Sequence, residues 1–438
     1  MKTPICDYVN QYAASSPLRL HMPGHKGRGS LGVEGLDITE ISGADSLYEA
    51  SGIIRESEDN ATALFGCPTF YSTEGSSQCI RAMVLLAMQW AKRQGRRPLI
   101  AAGRNAHKTF LSAAALLDAN VVWLYAQKQD SYLRCELTPE DLEAAFEKAP
   151  LTAVYLTSPD YLGCVADVAA LAQVCHAHGA LLLVDNAHGA YLRFLPESLH
   201  PMDLDADLCC DSAHKTLPVL TGGAYLHTTV ELADGVKDAM ALFGSTSPSY
   251  LVLQSLDACN PYLETYGEKL AGFVPKVGAL REKLRNFGYE LYGAEPMKLT
   301  LCTKPYGHLG TEFAALLEGK GIICEFADPD FLVLMLTPET GEVGLARLEE
   351  ALLSVPRKPS ILEASPEFLP CEQVCSIRQA ALSPARNVPV EEAVGRVLAS
   401  PSVGCPPAVP IALCGQRIDE NVVNVFQYYG ITHCRVME

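Results

Sequence analysis

A lysine, an aspartate and a pair of serines, each at the end of an expected element, are the residues whose types and spacing suit chemistry. Lys215 stands in the stretch 207–225, DLCCDSAHKTLPVLTGGAY. There an apolar strand runs into Ser212, Ala213, His214, Lys215 and Thr216, and then into a second, glycine-led strand. A lysine held between two strands, beside a His and a Ser, suits an amine that must lose its charge and form a Schiff base with a carbonyl cofactor. Alone it would read as a solvated loop lysine, as most lysines are; its companions upstream change the balance. Asp185 ends the apolar part of ALLLVDNAHG (180–189), as a buried parallel strand does when its carboxyl end carries a functional side chain. A buried carboxylate there can keep a pyridine nitrogen protonated, so that the ring of pyridoxal phosphate accepts electrons from a substrate carbanion. The plainer alternative is an Asp capping a turn. Upstream, Thr73, Glu74, Gly75, Ser76 and Ser77 lead into Ile80, Met83, Val84, Ala87, Met88 and Ala91 at helical spacing. Backbone N–H groups and two hydroxyls at a helix N-terminus make an anion site suited to a cofactor phosphate, although an ordinary Ser N-cap reads the same way.

In the order anion turn, Asp, Lys, the chain resembles the fold-type-I, pyridoxal-phosphate-dependent ornithine/lysine/arginine decarboxylases in their short bacterial form. The resemblance is carried by LHMPGHKGR (20–28), DITEISGADSL (37–47), GRNAHKT (103–109), TSPDYLG (157–163), VDNAHGA (184–190), DSAHKTLPVLT (211–221) and STSPSYLVLQSLD (245–257). EEAVGR and CPPAVPIALCGQ, within 391–416, are a weaker echo of the family's C-terminal region. The resemblance implies an α/β subunit of the aspartate aminotransferase-like, fold-type-I class, with a mainly parallel large-domain sheet and a smaller C-terminal α/β part. It further implies that Ser76, Ser77, Ser212 and His214 hold the phosphate beside Gly75, that His107 stacks on the ring, that Ala187 and His188 sit by it, and that Lys215 forms the aldimine. A homodimer or higher homo-oligomer follows, with active sites at the subunit interface, the N-terminal arm near that boundary and Thr246 or Ser247 offered to the partner's phosphate.

Length and composition agree with this class. The 438 residues are too many for one small domain, and the expected parts are an arm (1–50), a cofactor-binding large domain (51–265), a small α/β domain (266–357) and a C-terminal segment (358–438). A formal charge of −17 repels nucleic acid and anionic membranes. The N-terminus has no apolar core with a cleavage site and nowhere do 18 apolar residues run together, so a cytoplasmic protein is expected. The 16 cysteines then read as reduced thiols. Cys175, His176 and His178 lack a second ligand pair at finger spacing, so no metal is expected.

The elements that must position these residues follow from periodicity. Apolar runs at 99–102, 121–124, 153–156 and 180–184 alternate with helical patterns, as in a parallel sheet covered by helices. Thr138 followed by Pro139, Glu140 and Asp141 is a helix start. Residues 248–290 read as long helices interrupted at Gly267, Gly272 and Gly278. Beyond them, short strands at 298–302, 321–326 and 331–336 and helices at 311–319 and 342–354 make a small domain. The run from Pro406 to Pro410 cannot be helical.

Together these imply decarboxylation of arginine, lysine or ornithine to the corresponding amine. Two departures from the family bear on substrate: Cys414-Gly415-Gln416 stands where Pro-Gly-Glu is usual, and Asn186 replaces the common Glu. A lost carboxylate matters if it meets the cationic end of the substrate. The alternatives are a decarboxylase or lyase of a non-cationic amino acid, or an aminotransferase, which needs an anchor for an α-keto acid that no feature here picks out. A non-catalytic protein that has kept the fold would need a broken constellation, and Lys215, Asp185 and His107 are all present.

Overall fold

A computed structural model describes residues 1–127, 131–400 and 407–438; Pro406 lies outside them. Its strands are β1 (Thr69–Ser72), β2 (Ile100–Gly103), β3 (Val121–Leu124), β4 (Ala153–Thr157), β5 (Leu181–Asp185), β6 (Leu208–Asp211), β7 (Ala224–Thr228), β8 (Glu290–Tyr292), β9 (Lys298–Cys302), β10 (Phe326–Ala327), β11 (Phe331–Met335), β12 (Ala385–Pro389) and β13 (His433–Met437). The first seven form one sheet in the order β1-β7-β6-β5-β4-β2-β3. Pairs β2–β3, β2–β4 and β5–β6 are parallel, whereas β7 runs antiparallel to both β1 and β6. Strands β5 and β6 are buried at every position, which is why the sequence there is a continuous apolar run and not an alternation.

The chain divides into two compact units, residues 1–97 with 175–269 and residues 98–174 with 270–438. In the first, Asp45 of the DITEISGADSL motif anchors the helix Ile53–Phe65. Its carboxylate accepts from the backbone N–H groups of Gly52 at 2.7 Å and Ile54 at 3.1 Å. These are donors that a helix start leaves without internal partners.

In the second unit the expected helix start is present: Thr138 and Asp141 cap one another around the helix Pro139–Lys148. Strands β8 to β11 form an antiparallel sheet ordered β10-β11-β9-β8, and β12 pairs with β13. Two expectations fail. Gly267, Gly272 and Gly278 all lie inside the unbroken helix Tyr266–Phe287. A glycine lowers helix stability by only about 1 kcal/mol against alanine, which packing of one face overrides. Of the expected strand 321–326, only Phe326 pairs, together with Ala327, because β10 joins β11 by just two residues. Among the described residues no helix is long and apolar enough to cross a membrane.

Candidate active site

The parallel register of β5 and β6 sets Asp185 opposite Cys210, so the carboxyl ends of the two strands lie side by side. Asp185 is 2% exposed. Its Oδ1 accepts from the backbone N–H of Ala187 at 3.2 Å and from the Cys210 thiol at 3.7 Å. Burial and the neighbouring Asp185 charge push the Cys210 pKa far up, so that thiol stays protonated and remains a donor. After β6, Ser212 precedes a single helical turn, Ala213–Thr216, and this turn carries Lys215. Lys215 is half-buried, with Nζ 3.0 Å from His188 Nε2. The structure therefore gathers Asp185, Ala187, His188 and Lys215 from two adjacent strand ends.

The anion turn converges on the same strands. Gly75 has φ +69°, a conformation that favours glycine, and its N–H donates to Gly222 O at 2.7 Å just before β7. The helix Ser76–Arg93 starts there, and Ser212 Oγ donates to Ser76 Oγ at 2.8 Å. Hydroxyls from two separate segments thus meet at the N-terminus of a long helix, close to a buried Thr73 hydroxyl that has no hydrogen-bond partner. This donor set fits a phosphate. His214 fits it less simply: Nδ1 donates to Gly223 O at 3.0 Å and burial lowers the ring's pKa. Only the protonated ring would offer a second N–H to an anion.

His107 belongs to the second unit. It caps the helix Lys108–Leu117, with Nδ1 accepting from Thr109 N–H at 3.2 Å, so the proton of the neutral ring sits on Nε2. The Lys108 N–H donates to Ala408 O at 2.8 Å, and the buried Arg104 guanidinium donates to Pro410 O at 2.8 Å and to Ile411 O. The proline-rich element is thereby tied to the GRNAHKT loop. Gln416 is 3% exposed, and its Oε1 accepts from Leu413 N–H at 2.8 Å, closing its own turn. Of Cys175, His176 and His178, Cys175 is buried and His176 Nε2 lies 3.0 Å from Asp207 Oδ2, whereas His178 is exposed.

Sequence reasoning missed a polar cluster in the first unit. Asp211, wholly buried, is met by Asn186 Nδ2 at 2.7 Å and by the Nε2 atoms of His200 and His227, each at 3.1 Å. Burial opposes ionisation there, yet the two imidazoles outweigh it and hold the Asp211 carboxyl well below the usual range. Asp211 and Asn186 stand inside the motifs that carry the resemblance, but His200, capping the 3-10 turn Pro201–Leu204, carries no spacing signal.

The α/β fold, with its mainly parallel sheet, is that of the fold-type-I pyridoxal-phosphate enzymes. Among solved structures, the lysine decarboxylase LdcF of Francisella novicida superposes with a TM-score of 0.83 at 15% identity, covering 100% of this chain and 81% of its own. A lysine decarboxylase of Pseudomonas aeruginosa gives 0.80 at 18%, over 97% and 75%. The family model for the Orn/Lys/Arg decarboxylase major domain matches residues 3–286, and the chain belongs to that family. It is 27% identical to an arginine decarboxylase of Bacillus subtilis, over 97% of this chain and 93% of that protein. An arginine decarboxylase of Halalkalibacterium halodurans is 29% identical, over 96% and 92%. The protein is a pyridoxal-phosphate-dependent amino-acid decarboxylase.

Proposed function

We propose that this enzyme decarboxylates arginine, in preference to lysine and ornithine, as a cytoplasmic homodimer or higher assembly. The observation that carries the chemistry is Lys215 Nζ at 3.0 Å from His188 Nε2, beside the buried Asp185; the choice of arginine is supported by the relatives of that name. Pyridoxal phosphate, when bound, supplies a carbonyl for the substrate amine and a sink for the electrons left by departing carbon dioxide. Gly75, Ser76, Ser77 and Ser212 hold its phosphate, with His214 contributing when protonated, and Asp185 holds its ring nitrogen protonated. Lys215 Nζ is the amine that would hold the cofactor's carbonyl, and His188 Nε2, an imidazole nitrogen within hydrogen-bond distance, would take or return that amine's proton. By the family resemblance His107 would stack on the ring, and Lys215 or His107 would be the group that returns a proton to the α-carbon.

The interface reading draws on the arm: Leu18, Leu20 and Leu31 are each more than 80% exposed, as apolar residues are where another surface covers them. Thr246 and Ser247, also exposed, are the groups offered across that interface.

The test is to incubate the holoenzyme with arginine, lysine, ornithine and several neutral amino acids, measuring carbon dioxide and identifying the amines. Agmatine formed fastest supports the reading. Preference for a neutral amino acid would replace it with a non-cationic substrate, and keto-acid formation without carbon dioxide would replace it with transamination.

A further inference from the structure

We propose that Asp211 is a positioning residue for the cofactor site, acting through the side-chain amide of Asn186. Alternation along β6 puts Cys209 and Asp211 on one face and Cys210 on the other. Cys210 meets Asp185, so Asp211 lies on the face turned away from it. On that reverse face Asp211 is saturated with donors. Asn186 Nδ2 reaches Oδ1 at 2.7 Å and the Cys209 thiol lies 3.8 Å from the same oxygen, while His200 and His227 share Oδ2 at 3.1 Å. His200 Nδ1 accepts from Met202 N–H at 3.4 Å, which leaves Nε2 as its N–H donor. A carboxylate with this many donors is a fixed, buried charge.

Each end of the Asn186–Asp211 bond is one residue from the chemistry. Asn186 follows Asp185 and precedes Ala187 and His188; Asp211 precedes Ser212 and the turn that presents Lys215. The backbone repeats the tie, Asn186 N–H donating to Cys210 O at 3.0 Å. A Cβ on Gly189 would stand 1.9 Å from Asn186 Oδ1, so a glycine there leaves room for the amide. The Glu usual in the family at position 186 would set carboxylate against carboxylate at this contact, so Asn186 is the residue that Asp211 requires. His200, Cys209 and Asp211 also have ligand atoms within 4.8 Å of one another, the grouping a metal ion would use. With His200 Nε2 committed as a donor, hydrogen bonds account for it.

This inference rests on Asp185 and Lys215 being the cofactor residues, and the experiment separates the two. Asn186→Ala removes the tie but leaves the buried acid and both imidazoles. Its apoprotein should melt near the unsubstituted apoprotein, bind pyridoxal phosphate about tenfold more weakly by equilibrium dialysis, and shift the pH midpoint of the visible band by about half a unit. Asp211→Asn should move both cofactor readouts the same way. Should Asn186→Ala fail to fold, Asn186→Ser is read by the same two measurements. A melting temperature that falls while cofactor affinity and pH midpoint stay put would make the cluster merely structural and overturn the proposal, as would one zinc ion per chain in the purified protein. If borohydride fixes the cofactor of the unsubstituted enzyme to a lysine other than Lys215, the site assignment itself has failed.

Discussion

Asp328 offers a quantitative test of how charge is buried in the second unit. It sits in the turn between β10 and β11, 5% exposed, with Oδ1 accepting from the N–H groups of Asp330 at 2.8 Å and Phe331 at 2.7 Å. Its Oδ2 is buried without a partner. The nearby cation, Lys304, is spent on Asp330, whose Oδ1 it meets at 2.9 Å and which also takes the Tyr428 hydroxyl at 2.6 Å. Burial, with repulsion from Asp330 added, therefore outweighs the backbone donors and Lys304, and the pKa rises from 3.8 to about 7. A carboxyl with a raised folded-state pKa is favoured protonated. Its ionisation costs nothing below the unfolded pKa, and the cost grows with rising pH until it is complete above about 7. At about 1.4 kcal/mol per pH unit over that window, the full cost is about 4 kcal/mol.

Roughly 2.5 kcal/mol of that cost accrues between pH 5 and pH 8. Asp328→Asn removes the titration but leaves an amide where Oδ2 had no partner, costing about 1–2 kcal/mol at every pH. The variant should thus match the parent to within about 1 kcal/mol at pH 5 and be more stable by about 2–3 kcal/mol at pH 8. Denaturant unfolding at pH 5, 6, 7 and 8, followed by fluorescence, measures the difference. A difference that stays flat with pH, or that favours the parent more as pH rises, would refute the account of Asp328 as a desolvated acid.

Three further outcomes are expected at the site. Lys215→Ala should fold but lose the visible absorbance of the holoenzyme, and borohydride treatment of the parent followed by peptide mapping should find the cofactor on Lys215. Asp185→Asn should retain cofactor yet slow turnover by about a thousandfold or more, the effect of several kcal/mol of lost charge stabilisation; near-normal kcat would remove Asp185 from its role. Gln416→Glu should lower stability at pH 8 by about 1–2 kcal/mol, because it buries a carboxylate with one N–H donor, and leave kcat/KM for arginine within threefold. A tenfold gain for a basic amino acid would instead set position 416 against the substrate.

What the sequence made legible follows the physics of each signal. Strands β2, β4 and β5 stood out because a strand buried on both faces is an unbroken apolar run, and the anion turn because a glycine and two serines open a helix. The three glycines of Tyr266–Phe287 misled, since a local cost near 1 kcal/mol cannot show what a long helix gains by packing. The β12–β13 pair was invisible because Ala385 meets Met437 across more than fifty intervening residues, a pairing no local pattern carries. Lys215, Asp185, Ser76 and Ser212 were legible as types at motif spacing. The partners of Asp211 were not, because His200 and His227 reach it from separate elements.

The two departures from the family have one explanation between them. Both side chains are engaged within the chain, Asn186 with Asp211 at 2.7 Å and Gln416 with Leu413 N–H at 2.8 Å. A buried amide that satisfies a neighbour is held by that neighbour's chemistry, since replacing it by an acid would leave a desolvated charge facing an anion at 186 or a single donor at 416. Neither substitution therefore requires a changed substrate, and the loss of a family carboxylate at position 416 is not by itself an argument for a neutral amino acid. The determinant of substrate charge has to be sought among groups that face bound substrate. The discriminating measurement is the salt dependence of KM for arginine, which should rise with ionic strength if any such acid remains.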